Sequence, residues 1–195
     1  MQHFQTHRLI NTVSIVLLFT LWTLCRSQPL SAEDSIPAIP RRLPPVGTSL
    51  ADDVRNGLEA KLASTQKRLA KHANHPLAPD VEIFTSAVEL ALAHDEFYRD
   101  GDAALAMSLL EDAQARLDEL EDERSPWTTK RGTLVRGYRS HVDGSAQPYG
   151  LVIPKELNLS KPVPLYVWLH GRGDNKTNLA FLEERQTKVG QIAPD

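Results

Sequence analysis

Pro164-Leu165-Tyr166-Val167-Trp168-Leu169 is a short, continuous apolar run, and His170-Gly171-Arg172-Gly173-Asp174 comes directly after it without a break. A strand with one wet face alternates apolar and polar residues. This run does not alternate, so it predicts a strand buried on both faces, as in the middle of an α/β sheet. That expectation sets the fold class, α/β overall, and the preceding sequence has to be read for the helices and strands that accompany it.

Three helical stretches come first. From about Ser49 to His72, the residues Val54, Leu58, Leu62, Thr65 and Leu69 recur at spacings of three and four and share one face. Gly57 weakens the middle of that stretch. Pro76 and Pro79 fill the gap after it. The second stretch runs from about Pro79 to Tyr98 with the stripe Val81, Phe84, Val88, Ala91 and Leu92. Asp80 sits in its first turn, where a carboxylate favours the helix dipole. Asp100-Gly101-Asp102 is a turn signal. The third stretch runs from about Asp102 to Arg124, with Leu105, Leu109, Ala113, Leu117 and Leu120 aligned. Joined by short turns, the three predict a small antiparallel bundle over 49–125. The acidic run from Asp118 to Glu123 reads as a solvated helix face. Ser49 and Ser125 read as caps.

After Ser125-Pro126 the period changes. Gly132 to Val142 is rich in β-branched and aromatic residues, Asp143-Gly144-Ser145 is a hairpin turn signal, and Gln147 to Ile153 is the returning strand, ended by Pro154. A polar connection from Lys155 to Lys161 leads into the apolar run. Asn175 to Val189 reads as a helix that starts near Thr177 or Asn178 and faces the sheet with Leu179, Leu182 and Val189. There are no internal repeats.

The N-terminus carries an address. Val13 to Leu24 is uncharged and apolar, preceded by Arg8, which matches the n-region and h-region of a signal peptide. A membrane span needs about 20 apolar residues, so an uncleaved anchor is the second reading. Leu30-Ser31-Ala32 offers a small residue at a cleavage position, and Cys25-Arg26-Ser27 is another possibility. Residues 1–32 are therefore read as a signal peptide and the protein as secreted, periplasmic or held at the cell envelope. Membrane contact would run only through residues 13–24, if they are retained. Residues 33–48 form a stiff linker with Pro37, Pro40, Pro44 and Pro45.

Composition narrows the function classes. The hydrophobic share of 41% and charged share of 24% are ordinary for a folded protein. Residues 1–32 carry Arg8 and Arg26 and no acid, so their removal takes the formal net charge from -3 to -5. A mildly acidic chain without a basic patch argues against a nucleic-acid partner. Cys25 is the single cysteine, so cleavage beyond it leaves no disulfide framework and no thiolate metal site. His72 and His75 stand beside Pro76 and read as a surface pair, not as metal ligands. No metal and no cofactor is expected. Asn158-Leu159-Ser160 and Asn175-Lys176-Thr177 fit the glycosylation pattern, which also arises by chance.

The hairpin Pro148-Tyr149-Gly150-Leu151-Val152-Ile153-Pro154, the apolar run and the His-Gly-x-Gly loop together resemble the start of an α/β-hydrolase catalytic domain. The likeness is to bacterial secreted esterases of the polyhydroxybutyrate-depolymerase and feruloyl-esterase type, and to the related prolyl-oligopeptidase-like group of serine hydrolases. Attack on an ester or amide carbonyl makes an oxyanion, and a backbone N–H aimed at it is worth roughly 2.7–4 kcal/mol. The resemblance implies that an amide after His170 supplies one donor, with Arg172 the first choice and Gly171 the second. His170, Gly173 and Asp174 would shape the loop. The Arg172 side chain could bind a substrate carboxylate or pair with Asp174. The second donor in this family is the amide after the catalytic serine.

That serine is missing. No Gly-x-Ser-x-Gly segment occurs in the 195 residues, and the family's acid and histidine come after the serine. The resemblance covers about residues 131–195, roughly a quarter to a third of a hydrolase domain of typical size. Gln191 to Asp195 reads as the approach to a further strand. The expectation is thus the N-terminal part of a secreted serine hydrolase, an ester hydrolase in preference to a peptidase. It lacks nucleophile, acid and base and is silent alone. Its substrate, in a complete domain, would be a small or polymeric ester. The competing reading is a non-enzymatic envelope interaction module built on the helical bundle. A third is an obligate fragment whose other half is made separately. For the address, mass spectrometry of the protein purified from its native source is expected to find residues 13–24 removed; an intact apolar segment would rule cleavage out.

Overall fold

A computed structural model describes residues 45–169, 171, 173 and 176–187. The elements are α1 (Asp52–Leu69), a 3-10 turn (Ala70–His72), α2 (Pro79–His94), α3 (Asp102–Glu121), a second 3-10 turn (Pro126–Thr128), β1 (Gly132–Arg139), β2 (Ala146–Ile153) and α4 (Asn178–Thr187). The chain mixes helices with a two-stranded antiparallel sheet.

The stripes read from the sequence are the faces that pack. Leu58, Leu62, Thr65 and Leu69 of α1 are buried, and only Val54 of that row is exposed. In α3, Leu109, Ala113, Leu117 and Leu120 are buried and Leu105 packs against the same core from its edge. Helix α2 buries more than a stripe. Val81, Phe84, Val88, Ala91 and Leu92 are joined in the core by Ile83, Thr85 and Ala87. The reason is its position: α2 touches α1, α3, α4 and both strands, so few of its sides face water. Pro79 stands at its first position, where a missing N–H costs nothing. Asp95, in the left-handed conformation with φ 51°, ends it and returns its N–H to the Ala91 carbonyl. Asp102 opens α3 and anchors the turn before it. Its buried carboxylate accepts the N–H groups of Tyr98 and Arg99 at 2.8 and 2.9 Å, and Arg99 Nε at 2.7 Å.

The hairpin has the expected place and a clear register. Gly132 pairs with Ile153, Val135 with Gly150 and Arg139 with Ala146. Its connection is the expected one: Gly144 takes a positive φ of 72°, and Asp143 Oδ1 accepts from the Ser145 N–H and hydroxyl. Hydrogen bonds from Ser145 lower the Asp143 pKa. One core runs from α1 through β1 to α4, including Leu58, Phe84, Trp127, Val135, Leu179 and Leu182. The helices of 49–125 and the hairpin after residue 131 are therefore packed together.

The join between helices and hairpin is polar and buried. Asp80, 1% exposed, accepts from Arg136 Nε at 2.8 and 2.9 Å, from the Gly137 N–H at 2.6 Å and from Trp127 Nε1 at 3.0 Å. Arg116 completes the join. Its guanidinium donates to the carbonyls of Asp80 at 2.8 Å and Val135 at 2.9 Å, and lies over the rings of Phe84 and Trp127. Gly137 makes the approach possible: a Cβ there would sit 2.1 Å from the Pro79 carbonyl oxygen.

Two expectations need correction. The run Pro164–Leu169 is not a buried strand. It joins no ladder among the described residues, and Leu165, Val167 and Leu169 are 81, 66 and 89% exposed. A strand buried on both faces needs neighbouring strands and covering layers, and the described sheet ends at two strands. Ser49 is not a cap either. Helix α1 starts at Asp52 behind Ala51 with no side-chain cap, and its first turn instead carries Asp52 and Asp53. Ser125 contributes its backbone carbonyl, which accepts from Thr128, and its side chain caps nothing. The acidic run of α3 is exposed and partly paired: Arg68 donates to Asp118 at 2.5 Å and Glu121 at 2.8 Å. Arg68 holds the Glu121 carboxyl below its ordinary range.

The buried join is the point to test. Asp80→Ala leaves Arg136, Trp127 Nε1 and the Gly137 N–H without their acceptor, and a broken buried pair costs about 3–5 kcal/mol. Urea unfolding monitored by tryptophan fluorescence should show that loss, with a much smaller change for Asp118→Ala at the surface.

Candidate oxyanion loop and the cleft beside it

The loop begins where the apolar run ends. Its residues His170, Arg172 and Asp174 lie outside the described residues, as do Asn175 and Val189, so the preferred donor amide has no described geometry. Gly171 and Gly173 are described, and both are exposed. A Cβ on Gly171 would meet nothing within 4 Å. The space beside its Cα would therefore also admit a side chain.

The segment after the loop is held firmly. Lys176 N–H donates to the Gly173 carbonyl at 3.1 Å, which turns the chain toward α4. Thr177 is buried, and its hydroxyl accepts the Ala180 N–H at 3.1 Å, the bond of a helix N-cap. Of the two starting residues read from the sequence, Thr177 is the cap. Leu179 and Leu182 then point into the core as expected. Helix α4 crosses the hairpin closely: a Cβ on Gly150 would lie 2.6 Å from Arg185 Cδ, so glycine gives that side chain its place. Thr133 Oγ1 donates to the Gln186 carbonyl at 3.1 Å and fixes the far end.

Beside the loop is a cleft of about 460 Å³ between α2, the hairpin tip and the start of α4. Ile83, Leu90, Pro148 and Phe181 give it apolar walls, and Lys176, Thr177 and Asn178 bring the end of the loop segment to its rim. Its charges are largely matched. Glu82 pairs with Arg139, Glu184 with Lys176, and Glu89 accepts from Gln66 at 3.1 Å. Sequence reading did not find these residues as a group. They come from three elements, and only the exposed apolar Leu90 breaks its helix pattern enough to have drawn notice.

A second cleft of about 450 Å³ lies over Arg116, Trp127 and the outer side of β1. Burial among the rings pulls the Arg116 pKa down to about 10. Its donors are directed to the two backbone carbonyls of the join. Asp112, also on this rim, accepts from Gln186 at 2.9 Å. His75, one of the two histidines considered as ligands, accepts the Leu77 N–H through Nδ1 at 3.1 Å, and the other, His72, lies 3.7 Å from Glu121. Among the described residues no group of three potential ligands comes together. Of the two glycosylation patterns, Asn158 accepts from the Ser160 N–H and hydroxyl, and Asn175 lies outside the described residues.

Comparison with protein-family models, curated proteins and solved structures found no match.

The Thr177 cap couples the loop to the rest of the chain. Thr177→Val keeps the bulk and removes the acceptor, and should cost about 1 kcal/mol. The expected sign is faster hydrogen exchange at Ala180 and in the first turn of α4, with α1 unaffected.

Proposed function

We propose that this chain carries the opening segment of a secreted serine hydrolase, an ester hydrolase in preference to a peptidase, with an oxyanion donor in the loop 170–174. The order of elements supports the reading: an antiparallel hairpin, an apolar extended run, a glycine-bearing loop and a capped helix that packs back on the hairpin. The observation that carries it is the exposed Gly171, joined through Gly173 and Lys176 to the rim of an apolar cleft. An ester's acyl or alcohol part fits walls of Ile83, Leu90, Pro148 and Phe181, and the oxyanion that forms on attack needs the kind of donor this loop offers. Arg172 is the first choice for that amide, with Gly171 the alternative, and His170, Gly173 and Asp174 shape the turn.

The chemistry divides at this point. One donor belongs to the loop. The nucleophile, its general base and the orienting acid belong to a Gly-x-Ser-x-Gly segment and the hydrolase sequence C-terminal to it. The address expected of residues 1–32 places the protein outside the cytoplasm, where a polymeric or small ester is the substrate. A non-enzymatic envelope module is the alternative, favoured by one observation: among the described residues most of the buried apolar core comes from the helical region.

The test is in two parts. The 195-residue chain should not turn over a nitrophenyl ester in a serine-reagent-sensitive way. The reading frame after the codon for Asp195 should continue into a Gly-x-Ser-x-Gly segment, and Arg172→Pro in that longer chain, which deletes the donor N–H, should lower kcat by about 10²–10³ with KM little changed. A frame that stops, with a soluble chain, favours the interaction module.

A further inference from the structure

We propose that the outer edge of β2 is a strand-accepting site and that its occupant is the run Pro164–Leu169 of a second copy of this chain. In an antiparallel pair, alternate residues exchange both hydrogen bonds and those between them turn their N–H and C=O groups outward. On β1 the outward residues include Val135 and Gly137. Both have side-chain partners: Arg116 donates to the Val135 carbonyl at 2.9 Å, and the Gly137 N–H donates to Asp80 at 2.6 Å. The β1 edge is therefore closed by the polar join, and a further strand has to enter beside β2.

The register shows what β2 offers. Val152, Gly150 and Pro148 stand opposite Thr133, Val135 and Gly137, so they face outward. Pro148 brings a carbonyl, while Gly150 and Val152 bring both a donor and an acceptor. Among the described residues none of these groups has a hydrogen-bond partner, and Val152 is exposed. An edge of this kind is a template for another strand unless charge, proline or a covering element blocks it. Pro148 blocks one end only.

The complement is in the same sequence. Pro164–Leu169 carries no charged side chain, and its one proline stands first, where a strand tolerates it. Leu165 to Leu169 are all exposed, and no backbone hydrogen bond is made by 164–169 among the described residues. At about 3.3 Å per residue the run spans roughly 20 Å, enough to cover the outward groups of β2. Its ends are tied to the hairpin through Ile153 and through α4, and in that tethered position it joins no ladder among the described residues and is presented to solvent. Exchange with a second copy supplies backbone partners to run and edge alike. A reciprocal exchange closes a two-fold dimer, and a one-way exchange builds a chain of copies. Self-association and edge protection involve no ester, so the proposal stands or falls apart from the hydrolase reading.

Sedimentation velocity of the full chain over a wide concentration range is the experiment, with Val167→Pro and Val152→Pro alongside. Val152→Pro deletes an outward donor of the edge, and Val167→Pro removes an N–H from the middle of the run; Val167 is exposed, so its replacement leaves the core alone. The wild type should form dimers or larger assemblies, and either variant should weaken association by roughly tenfold or more. A monomeric wild type, or assembly that Val167→Pro leaves unchanged (as association through residues 13–24 would), overturns the proposal. A peptide of residues 163–169 added to the Val167→Pro chain should slow hydrogen exchange at Gly150 and Val152. Exchange there that is unaffected by excess peptide also overturns it.

Discussion

The carboxylate of Asp80 is the interaction on which the remaining architecture depends. It sits in the first turn of α2, in the middle of the core, and it takes hydrogen bonds from a strand backbone, an arginine and an indole. Burying a carboxylate costs several kcal/mol unless it is paired and its lone pairs are filled. Here they are filled by groups that belong to β1 and to the turn before it. The helices and the hairpin are consequently held in one relation, because a shift of β1 along α2 would separate Asp80 from Gly137 and Arg136.

Arg116 extends the same constraint to α3. A guanidinium without a carboxylate in direct contact is tolerated there because two carbonyls accept from it and two aromatic faces lie beneath it. Its lowered pKa reflects the cost of removing it from water, and it stays charged throughout the neutral range. With Asp80 and Arg116 each bonded to β1, one edge of the sheet is occupied by side chains. That leaves β2 as the open edge.

Sequence periodicity found the parts whose partners are local or generic. The rows Leu58–Leu62–Leu69 and Leu109–Ala113–Leu117 became buried faces, since any apolar surface can satisfy such a row. Asp143-Gly144 set the hairpin because its own backbone and side chain make the turn. Asp80 was legible only as an acid at a helix start. A fuller signal was there, an acid flanked by the buried Pro79 and Val81, but its partners lie 47 to 57 residues away and no local pattern names them. The run Pro164–Leu169 misled for the related reason that apolar content reports what a segment could bury, not whether a neighbouring strand is present to bury it.

The amino-acid sequence by itself determined which segments are helical, where the hairpin turns, and that a glycine-bearing loop succeeds an apolar run. Each comes from a period, a turn residue or a conformational preference contained within a few positions. Only the tertiary structure decided that α2 is the central element, that Asp80 and Arg116 close one sheet edge, that Thr177 caps α4 and that the apolar run stands exposed. Apart from the Thr177 cap, a bond across three residues that the sequence had narrowed to two candidates, those outcomes depend on contacts between residues far apart in the chain, where a carboxylate's cost of burial is met only when three distant donors arrive together.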